Sequence, residues 1–228
     1  MGEHVHDIVP QDLTPAGALQ RLKEGNFRFI NNLKLNRNLL EQVNDTKDGQ
    51  WPFAAILSCM DSRTSAELIF DQGLGDIFSI RIGGNVITPG ILGSLEYATG
   101  IAGSKLILVL GHTNCGAVRG ACDDVKFGNL TSLLDKIKPS VAKAAEQVSD
   151  NNSNNPDYVN TAAKLNVYNS VDQIIKNSQV IRELIEQGSV GIVPAMYDVS
   201  SGFVTFFGQE AAMKETVADS QMASSMTA

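Results

Sequence analysis

A short apolar run that ends in a cysteine organises this chain: residues 53–63 read FAAILSCMDSR. The apolar part is short enough for a single strand that is covered on both faces of a sheet. A second apolar run, residues 106–110, is followed directly by GHTNCG. Ligand sites in open α/β sheets gather where strands end. The sequence therefore predicts that Cys59, His112 and Cys115 meet at one edge of a sheet.

Short apolar runs and helical patterns alternate along the rest of the chain. Residues 77–82 form another apolar run, and a helical pattern over residues 91–98 separates it from the next run, which supplies the crossover that parallel strands need. Residues 190–193 and 197–207 are expected to be two further strands, the second split by a turn at residues 200–202. The predicted fold is α/β: a mostly parallel central sheet of about five strands flanked by helices.

Helix boundaries are suggested by capping residues and proline. Thr14–Pro15 are a cap and a first-turn proline, so a helix is expected to begin there. Another helix is expected at residues 132–148, interrupted by Pro139. Residues 149–156 are rich in Asn and Ser and are expected to form a loop. A long helix follows this loop and is expected to stop at Gly188.

Composition excludes several classes of partner. The 228 residues, 43% of them hydrophobic, suffice for one domain with a sizeable core. A net charge of −7 argues against nucleic acid and anionic membrane, because both are polyanions. No apolar stretch reaches the length of a membrane span. A small molecule is the expected partner.

Cysteine usage bears on compartment and on chemistry. Three cysteines are an odd number and fit a reducing compartment better than a disulfide framework, so a cytoplasmic location is expected, although a removed signal peptide would leave no trace. Two thiolates and one imidazole, from Cys59, Cys115 and His112, are a ligand set that zinc prefers. Buried structural thiols are the alternative, and Cys122 is expected to be one.

The residues of this site resemble those of a known family. Cys59, Asp61, Ser62 and Arg63, followed 53 residues after Cys59 by a His-x-x-Cys pair, resemble the β-class carbonic anhydrases. The resemblance extends over roughly residues 14–208, through residues 24–29, 81–85, 93–98 and 197–199. One departure is visible, because the family commonly has Arg-Asn-x-x-Asn where this chain has RIGGN at residues 81–85.

The resemblance implies an activity and a division of the chain. It implies a lyase that carries one Zn²⁺ per chain, held by Cys59, His112 and Cys115, and that hydrates carbon dioxide reversibly to bicarbonate and a proton by attack of zinc-bound hydroxide. The expected organisation is a flexible arm at residues 1–13, a single zinc-binding catalytic domain at 14–208 and a partly disordered tail at 209–228. A homodimer or homotetramer is implied, with the N-terminal helix packed on a partner subunit.

Roles for further residues also follow from the resemblance. Asp61 and Arg63 are expected to pair through a charge-assisted hydrogen bond and to orient the hydroxide. Phe78 and Tyr97 fall at positions that line the carbon dioxide pocket in plant-type members, and Gln50 falls where a neighbouring subunit's glutamine donates to substrate.

The state of the metal site is a separate expectation. In another subgroup of the family the aspartate moves onto zinc, and bicarbonate occupies a regulatory pocket built by Trp, Arg and Tyr. Arg81 and Tyr197 match two of these positions, but the Trp position is Ile56, which has no N–H to bind the anion. We therefore expect an open site in which Arg63 holds Asp61.

Three other functions remain open from the sequence. They are a carbon disulfide or carbonyl sulfide hydrolase on the same scaffold, a non-catalytic protein that binds zinc or bicarbonate, and a redox protein that uses Cys59 and Cys115.

Overall fold

A five-stranded sheet forms the centre of the molecule. The computed structural model describes residues 13–208. The strands are β1 Ala54–Ser58, β2 Ile77–Arg81, β3 Leu106–His112, β4 Gly191–Tyr197 and β5 Val204–Phe206. Their order is β2-β1-β3-β4-β5; the first four are parallel and β5 is antiparallel to β4. The predicted mostly parallel α/β sheet of about five strands is confirmed.

Helices cover both faces of this sheet. They are α1 Pro15–Ile30, α2 Leu39–Asp45, α3 Ala66–Ile69, α4 Pro89–Glu96, α5 Gly116–Cys122, α6 Gly128–Asp135, α7 Lys138–Ala145, α8 Pro156–Asn177 and α9 Gln179–Glu186. Alternate residues of β1 and β3 point to opposite faces, as the period of a strand requires. One core packs under α1 and α3, and the other includes residues of α4, α5 and α7 to α9. Within residues 13–208 no helix combines the length and the apolar character that crossing a membrane requires.

The start of α1 agrees with its sequence. The Thr14 side chain accepts a hydrogen bond from the Gly17 backbone N–H at 3.1 Å, and Pro15 occupies the first turn, where its missing N–H has no cost. The predicted arm at residues 1–13 lies outside the described residues except for Leu13, and so does the whole predicted tail at 209–228.

Two predicted helices are each divided in the structure. The helix expected at residues 132–148 is instead α6 and α7, and Pro139 lies in the first turn of α7. A proline ring would clash with the carbonyl four residues earlier in a continuous helix. The long helix expected to stop at Gly188 ends at Asn177, because Ser178 caps a new helix, α9, through its side chain. Gly188 then follows α9 with a φ of 73°, the left-handed conformation that favours glycine.

The two C-terminal strands also differ from prediction. Tyr197 was expected to begin the last strand, but it ends β4, where it pairs with His112 of β3. The turn at residues 200–202 separates β4 from β5 rather than splitting one strand, because the Gly202 N–H donates to the Asp198 carbonyl at 2.8 Å.

A buried carboxylate fastens the segment that follows α1. Asp71, 4% exposed, binds Arg28 Nε through Oδ2 at 2.5 Å and Arg37 Nη1 through Oδ1 at 2.6 Å. Burial acts to raise the pKa of this carboxyl group, but hydrogen bonds from Arg28 and Arg37 outweigh burial and hold the pKa below its ordinary value. Asp71 therefore stays ionised and connects the chain between α1 and α2 to the end of α3.

A buried amide joins the two ends of the domain. Asn26 of α1 is 3% exposed. Its Nδ2 donates to the carbonyls of Ile69 at 3.2 Å and Gly202 at 2.9 Å, and its Oδ1 accepts from the Val204 N–H at 3.0 Å. Since a buried polar group without partners is costly, this single side chain holds α1 against β5.

Candidate metal centre

The carboxyl ends of β1 and β3 bring the two halves of the motif together. Ser58, the last residue of β1, pairs with Leu110 of β3, so Cys59 lies opposite the end of β3, where His112 and Cys115 follow. The ligand atoms of Cys59, His112 and Cys115 lie within 4.8 Å of one another, and all three residues are buried. The sequence prediction that they meet at one sheet edge is confirmed.

The donor atoms fit a zinc ion. Cys59 Sγ and Cys115 Sγ are 3.9 Å apart, much longer than a disulfide bond and close to the ~3.8 Å between two thiolates each about 2.3 Å from a tetrahedral zinc. His112 Nδ1 lies 2.9 Å from the Thr113 carbonyl oxygen, which can only accept, so Nδ1 carries the proton. His112 Nε2 is buried and has no partner within residues 13–208. It is left as an unprotonated donor for a metal.

The two sulfurs differ in charge preference. The hydrogen bond with Cys115 holds the pKa of the Cys59 thiol well below its ordinary value, whereas that same bond and burial raise the pKa of Cys115. One proton shared between two adjacent sulfurs accounts for both directions. If zinc were bound here, Cys59 and Cys115 would both hold it as thiolates, and this shared proton would be lost to solvent.

Glycine and threonine set the position of His112. A Cβ on Gly111 would lie 2.4 Å from Val167 Cγ2 and 2.7 Å from Met196 Sδ, so only glycine lets α8 pack this closely beside the histidine. The Thr113 N–H donates to the Tyr197 carbonyl at 2.9 Å, and its hydroxyl accepts from the Val199 N–H at 3.0 Å. These contacts anchor the His112 loop to the end of β4.

Asp61 and Arg63 form the predicted ion pair. Arg63 Nε donates to Asp61 Oδ1 at 2.9 Å and Nη2 donates to Oδ2 at 2.8 Å, a bidentate arrangement. The Arg63 backbone N–H also donates to Oδ1 at 3.0 Å. The hydrogen bonds from Arg63 hold the pKa of Asp61 well below its ordinary value. Asp61 is not among the residues that could hold the metal.

Backbone contacts fix the loop that carries Cys59 and Asp61. Arg81 donates from Nε to the Cys59 carbonyl at 3.2 Å and from Nη2 to the Asp61 carbonyl at 2.5 Å. The Thr64 hydroxyl lies 2.9 Å from each of the same two carbonyls. In the sequence, Arg81 stands out only as part of the family resemblance. Its hydrogen bonds to the Cys59 and Asp61 carbonyls were not predicted.

The residues predicted to line the carbon dioxide pocket lie far from the metal ligands within one chain. Phe78 and Tyr97 contact each other edge to face, with ring centroids 6.2 Å apart. Phe78 pairs with Ala55, which lies about 13 Å along β1 from Cys59 at 3.3 Å per residue. Gln50 is exposed and lies beside Gly75, which precedes β2. Within one chain these three side chains are therefore at the amino end of the sheet, away from the metal ligands.

A cavity of about 430 Å³ lies on the α8 side of the sheet and is lined by Asn166, Ser170 and residues 86–89, among others. Neither the metal ligands nor Gln50, Phe78 and Tyr97 line it.

Fold and site together define a metal-dependent α/β enzyme with a site of two thiols and one imidazole, and comparison with known proteins gives the family. A family model described as carbonic anhydrase matches residues 54–204. Carbonic anhydrase 2 of Mycobacterium tuberculosis is 36% identical over 189 residues, which cover 82% of this chain and 90% of that protein. The carbonic anhydrase of Mycolicibacterium smegmatis is 32% identical over 196 residues, covering 83% and 92%.

A solved structure agrees with these sequence relatives. One of two tetrameric β-carbonic anhydrases from the filamentous ascomycete Sordaria macrospora superposes with a TM-score of 0.66 at 25% identity, covering 74% of this chain and 90% of that one. The chain belongs to the β-class carbonic anhydrases. It is accordingly a zinc-dependent lyase that hydrates carbon dioxide.

Proposed function

We propose that Cys59, His112 and Cys115 hold one zinc ion per chain and that Asp61 and Arg63 orient the nucleophile for attack on carbon dioxide. The observation that carries this proposal is the gathering of the three donor atoms within 4.8 Å; one of them, Cys59, lies on the loop that also carries the Asp61–Arg63 pair. When bound, zinc lowers the pKa of a water ligand towards neutrality and so makes hydroxide available.

The hydrogen bonds to Asp61 suggest which oxygen faces the nucleophile. Oδ1 accepts from both Nε and the backbone N–H of Arg63, whereas Oδ2 accepts only from Nη2. A carboxylate oxygen has two lone pairs, so Oδ2 retains one. We assign Oδ2 as the acceptor of the nucleophile's O–H. Because its pKa is depressed, Asp61 accepts this hydrogen bond without taking the proton at neutral pH.

The same contacts support an open site, in which water or substrate takes the fourth zinc position. Arg63 engages both oxygens of Asp61, which keeps the carboxylate away from the metal. Ile56 is fully buried and apolar, and the Arg81 guanidinium is engaged by two backbone carbonyls. A regulatory bicarbonate pocket built on these positions therefore lacks the indole N–H donor, and Arg81 already uses two of its N–H groups on backbone carbonyls.

We further propose a homo-oligomer, a dimer or tetramer, in which Gln50, Phe78 and Tyr97 complete the carbon dioxide pocket across an interface. Large apolar side chains are exposed around α1 and α2 and the loop before β1: Phe27, Leu33, Leu39, Leu40, Val43 and Trp51. Apolar patches of this kind mark protein interfaces. Within residues 13–208, β2, which carries Phe78, is an edge strand of the sheet, and the Sordaria relative is tetrameric.

Subunit mixing tests the shared pocket. The Gln50→Ala chain keeps its zinc ligands, and the Cys115→Ser chain keeps Gln50 but loses the metal. If Gln50 acts across a two-fold interface, an equimolar mixture refolded together should regain about a quarter of the parent sites, although each variant alone is nearly inactive. No recovery in mixed oligomers that form normally would show that Gln50 acts within its own chain or not at all.

Metal analysis coupled to stopped-flow carbon dioxide hydration tests the assigned ligands and substrate. One zinc per chain and hydration that is lost on chelation are expected, with slower turnover of carbonyl sulfide and carbon disulfide. Activity without stoichiometric metal would refute the assignment.

We also propose a single catalytic domain at residues 14–208. The net charge of −7 supports the absence of a nucleic-acid partner. A reducing compartment such as the cytoplasm is proposed because the three cysteines are free of disulfide bonds.

A further inference from the structure

The turn after β2 places two consecutive residues in the left-handed region of φ. Residues Gly83–Asn85 form a single 3₁₀ turn, in which Gly84 has φ 64° and Asn85 has φ 45°. Glycine and asparagine are the residues that adopt this region most readily, so the local sequence permits the turn. A Cβ on Gly84 would also lie 2.6 Å from Ile137 Cδ1. Contacts from outside the turn add to this local preference and fix its position.

Two buried side chains of α8 supply those contacts. Asn166 Nδ2 donates to the Gly84 carbonyl at 2.7 Å, and Ser170 Oγ donates to the Asn85 carbonyl at 2.9 Å. Asn166 is 1% exposed and Ser170 is 2% exposed. Their spacing of four residues puts both on one face of the helix. Two consecutive carbonyls, those of Gly84 and Asn85, are thus each bonded by a side chain of α8, and the two side chains are one helical turn apart.

The turn in its observed shape faces a zinc ligand. The Gly84 N–H donates to Cys59 Sγ at 3.3 Å. A donor to a thiolate withdraws charge from the sulfur and fixes its direction, as groups surrounding metal ligands do generally. If the turn took another backbone conformation, the Gly84 N–H would no longer point at Cys59 Sγ and this hydrogen bond would be lost.

We propose that Asn166 and Ser170 are positioning residues for the metal centre: they hold the Gly83–Asn85 turn so that the Gly84 N–H donates to the Cys59 sulfur. Within residues 13–208 the hydrogen bonds that these two side chains donate go to the turn rather than to the metal ligands. The same helix meets His112 from the other side, because Val167 packs against Gly111. Helix α8 thereby sets the relative position of two of the three zinc ligands.

The test uses matched substitutions in the full-length protein. Asn166→Leu removes the donor to Gly84 while keeping a side chain branched at Cγ, and Ser170→Ala removes the donor to Asn85. Asn169→Leu is the control for the first, since Asn169 is on the same helix and donates no hydrogen bond to the turn. Ser140→Ala is the control for the second, because Ser140 is a buried serine of α7 whose hydroxyl has no partner within residues 13–208.

Two readouts separate positioning from a general loss of stability. Zinc affinity, measured by competition with a chelator, is expected to fall about 10–100-fold in Asn166→Leu, the usual effect of removing groups around metal ligands, and by less in Ser170→Ala. In the cobalt-substituted protein the thiolate-to-metal charge-transfer band should shift in both variants. Both controls should match the parent protein in both readouts.

The proposal is overturned if both test variants keep the parent zinc affinity and charge-transfer band, or if the controls lose affinity to the same extent. Thermal unfolding of the metal-free proteins shows whether each variant folds. If Asn166→Leu fails to fold, Ser170→Ala against Ser140→Ala decides alone: a shifted band only in the first supports the proposal, and unchanged bands in both refute it.

Discussion

Replacing Asp61 by asparagine separates orientation of the nucleophile from binding of the metal. Asparagine keeps one acceptor oxygen, which can still accept from Arg63, but it puts an NH₂ group in place of Oδ2. That group faces Arg63 Nη2, a donor 2.8 Å from Oδ2 in the parent, and it cannot accept the nucleophile's O–H. We expect turnover to fall about 100-fold, or about 2.7 kcal/mol of transition-state stabilisation.

Zinc content should not change in this variant, because Asp61 is not one of the metal-holding residues. The pKa of Asp61 is depressed, so the group is charged at all pH values above its unfolded pKa of about 3.9 and loses its charge only in stronger acid. Asp61 itself therefore does not titrate near neutrality, but its replacement removes a negative charge beside the site and leaves Arg63 unpaired. The pH midpoint of carbon dioxide hydration should fall below that of the parent as the plateau falls.

Stopped-flow hydration across pH, with zinc measured on the same samples, checks this. Asp124→Asn is the matched control, because Asp124 also forms a short ion pair, with Lys126 at 2.8 Å, but on an exposed surface. Unchanged turnover in Asp61→Asn would make the Asp61–Arg63 pair purely structural. Loss of zinc would instead show that Asp61 contributes to metal binding.

Four further outcomes are expected. Cys115→Ser should lose most of its zinc by metal analysis, and full retention of metal and activity would refute the ligand assignment. Asp71→Asn should lower the free energy of unfolding in urea by about 3 kcal/mol at neutral pH; because the pKa of Asp71 is depressed, this difference should be present above about pH 4 and vanish in stronger acid, and a difference that grows on acidification would contradict the sign. Leu40→Asp, at an 82% exposed side chain, should yield smaller oligomers by sedimentation, whereas Phe127→Asp, 75% exposed, should not; the reverse result would move the interface. Deleting residues 2–8, which contain the two histidines other than His112, should leave hydration nearly unchanged in strong buffer, and a large loss would assign the arm a role in proton transfer.

Much of the fold and of the metal group was accessible from the sequence. Apolar runs at β1 and β3 are uninterrupted because both faces are covered, and a cysteine or histidine directly after such a run is placed at the sheet edge. Capping at Thr14 was readable because the signal is local.

Other features depend on contacts that sequence patterns do not encode. The break at Ser178 resembles any polar residue in an amphipathic helix, and its capping role appears only once α9 packs on the sheet. Asn166 and Ser170 left one weak signal, two polar residues on a helix face that is otherwise lined by apolar residues such as Ala163 and Val167. Its partner, the Gly84 carbonyl, is 82 residues away in the chain. Gln50 requires a second subunit, which a single sequence does not place.

The amide of Asn26 sets an order for the final stage of folding. Its partners at Gly202 and Val204 are 176 and 178 residues away in sequence. On a ribosome, α1 is synthesised long before these partners. Until they are made, the Asn26 side-chain oxygen and one of its amide hydrogens can form hydrogen bonds only with water. Closing so long a loop is entropically costly and slow. The metal ligands, all made earlier, can meet before this closure, so docking of β5 onto α1 completes the domain around a site whose residues are already present.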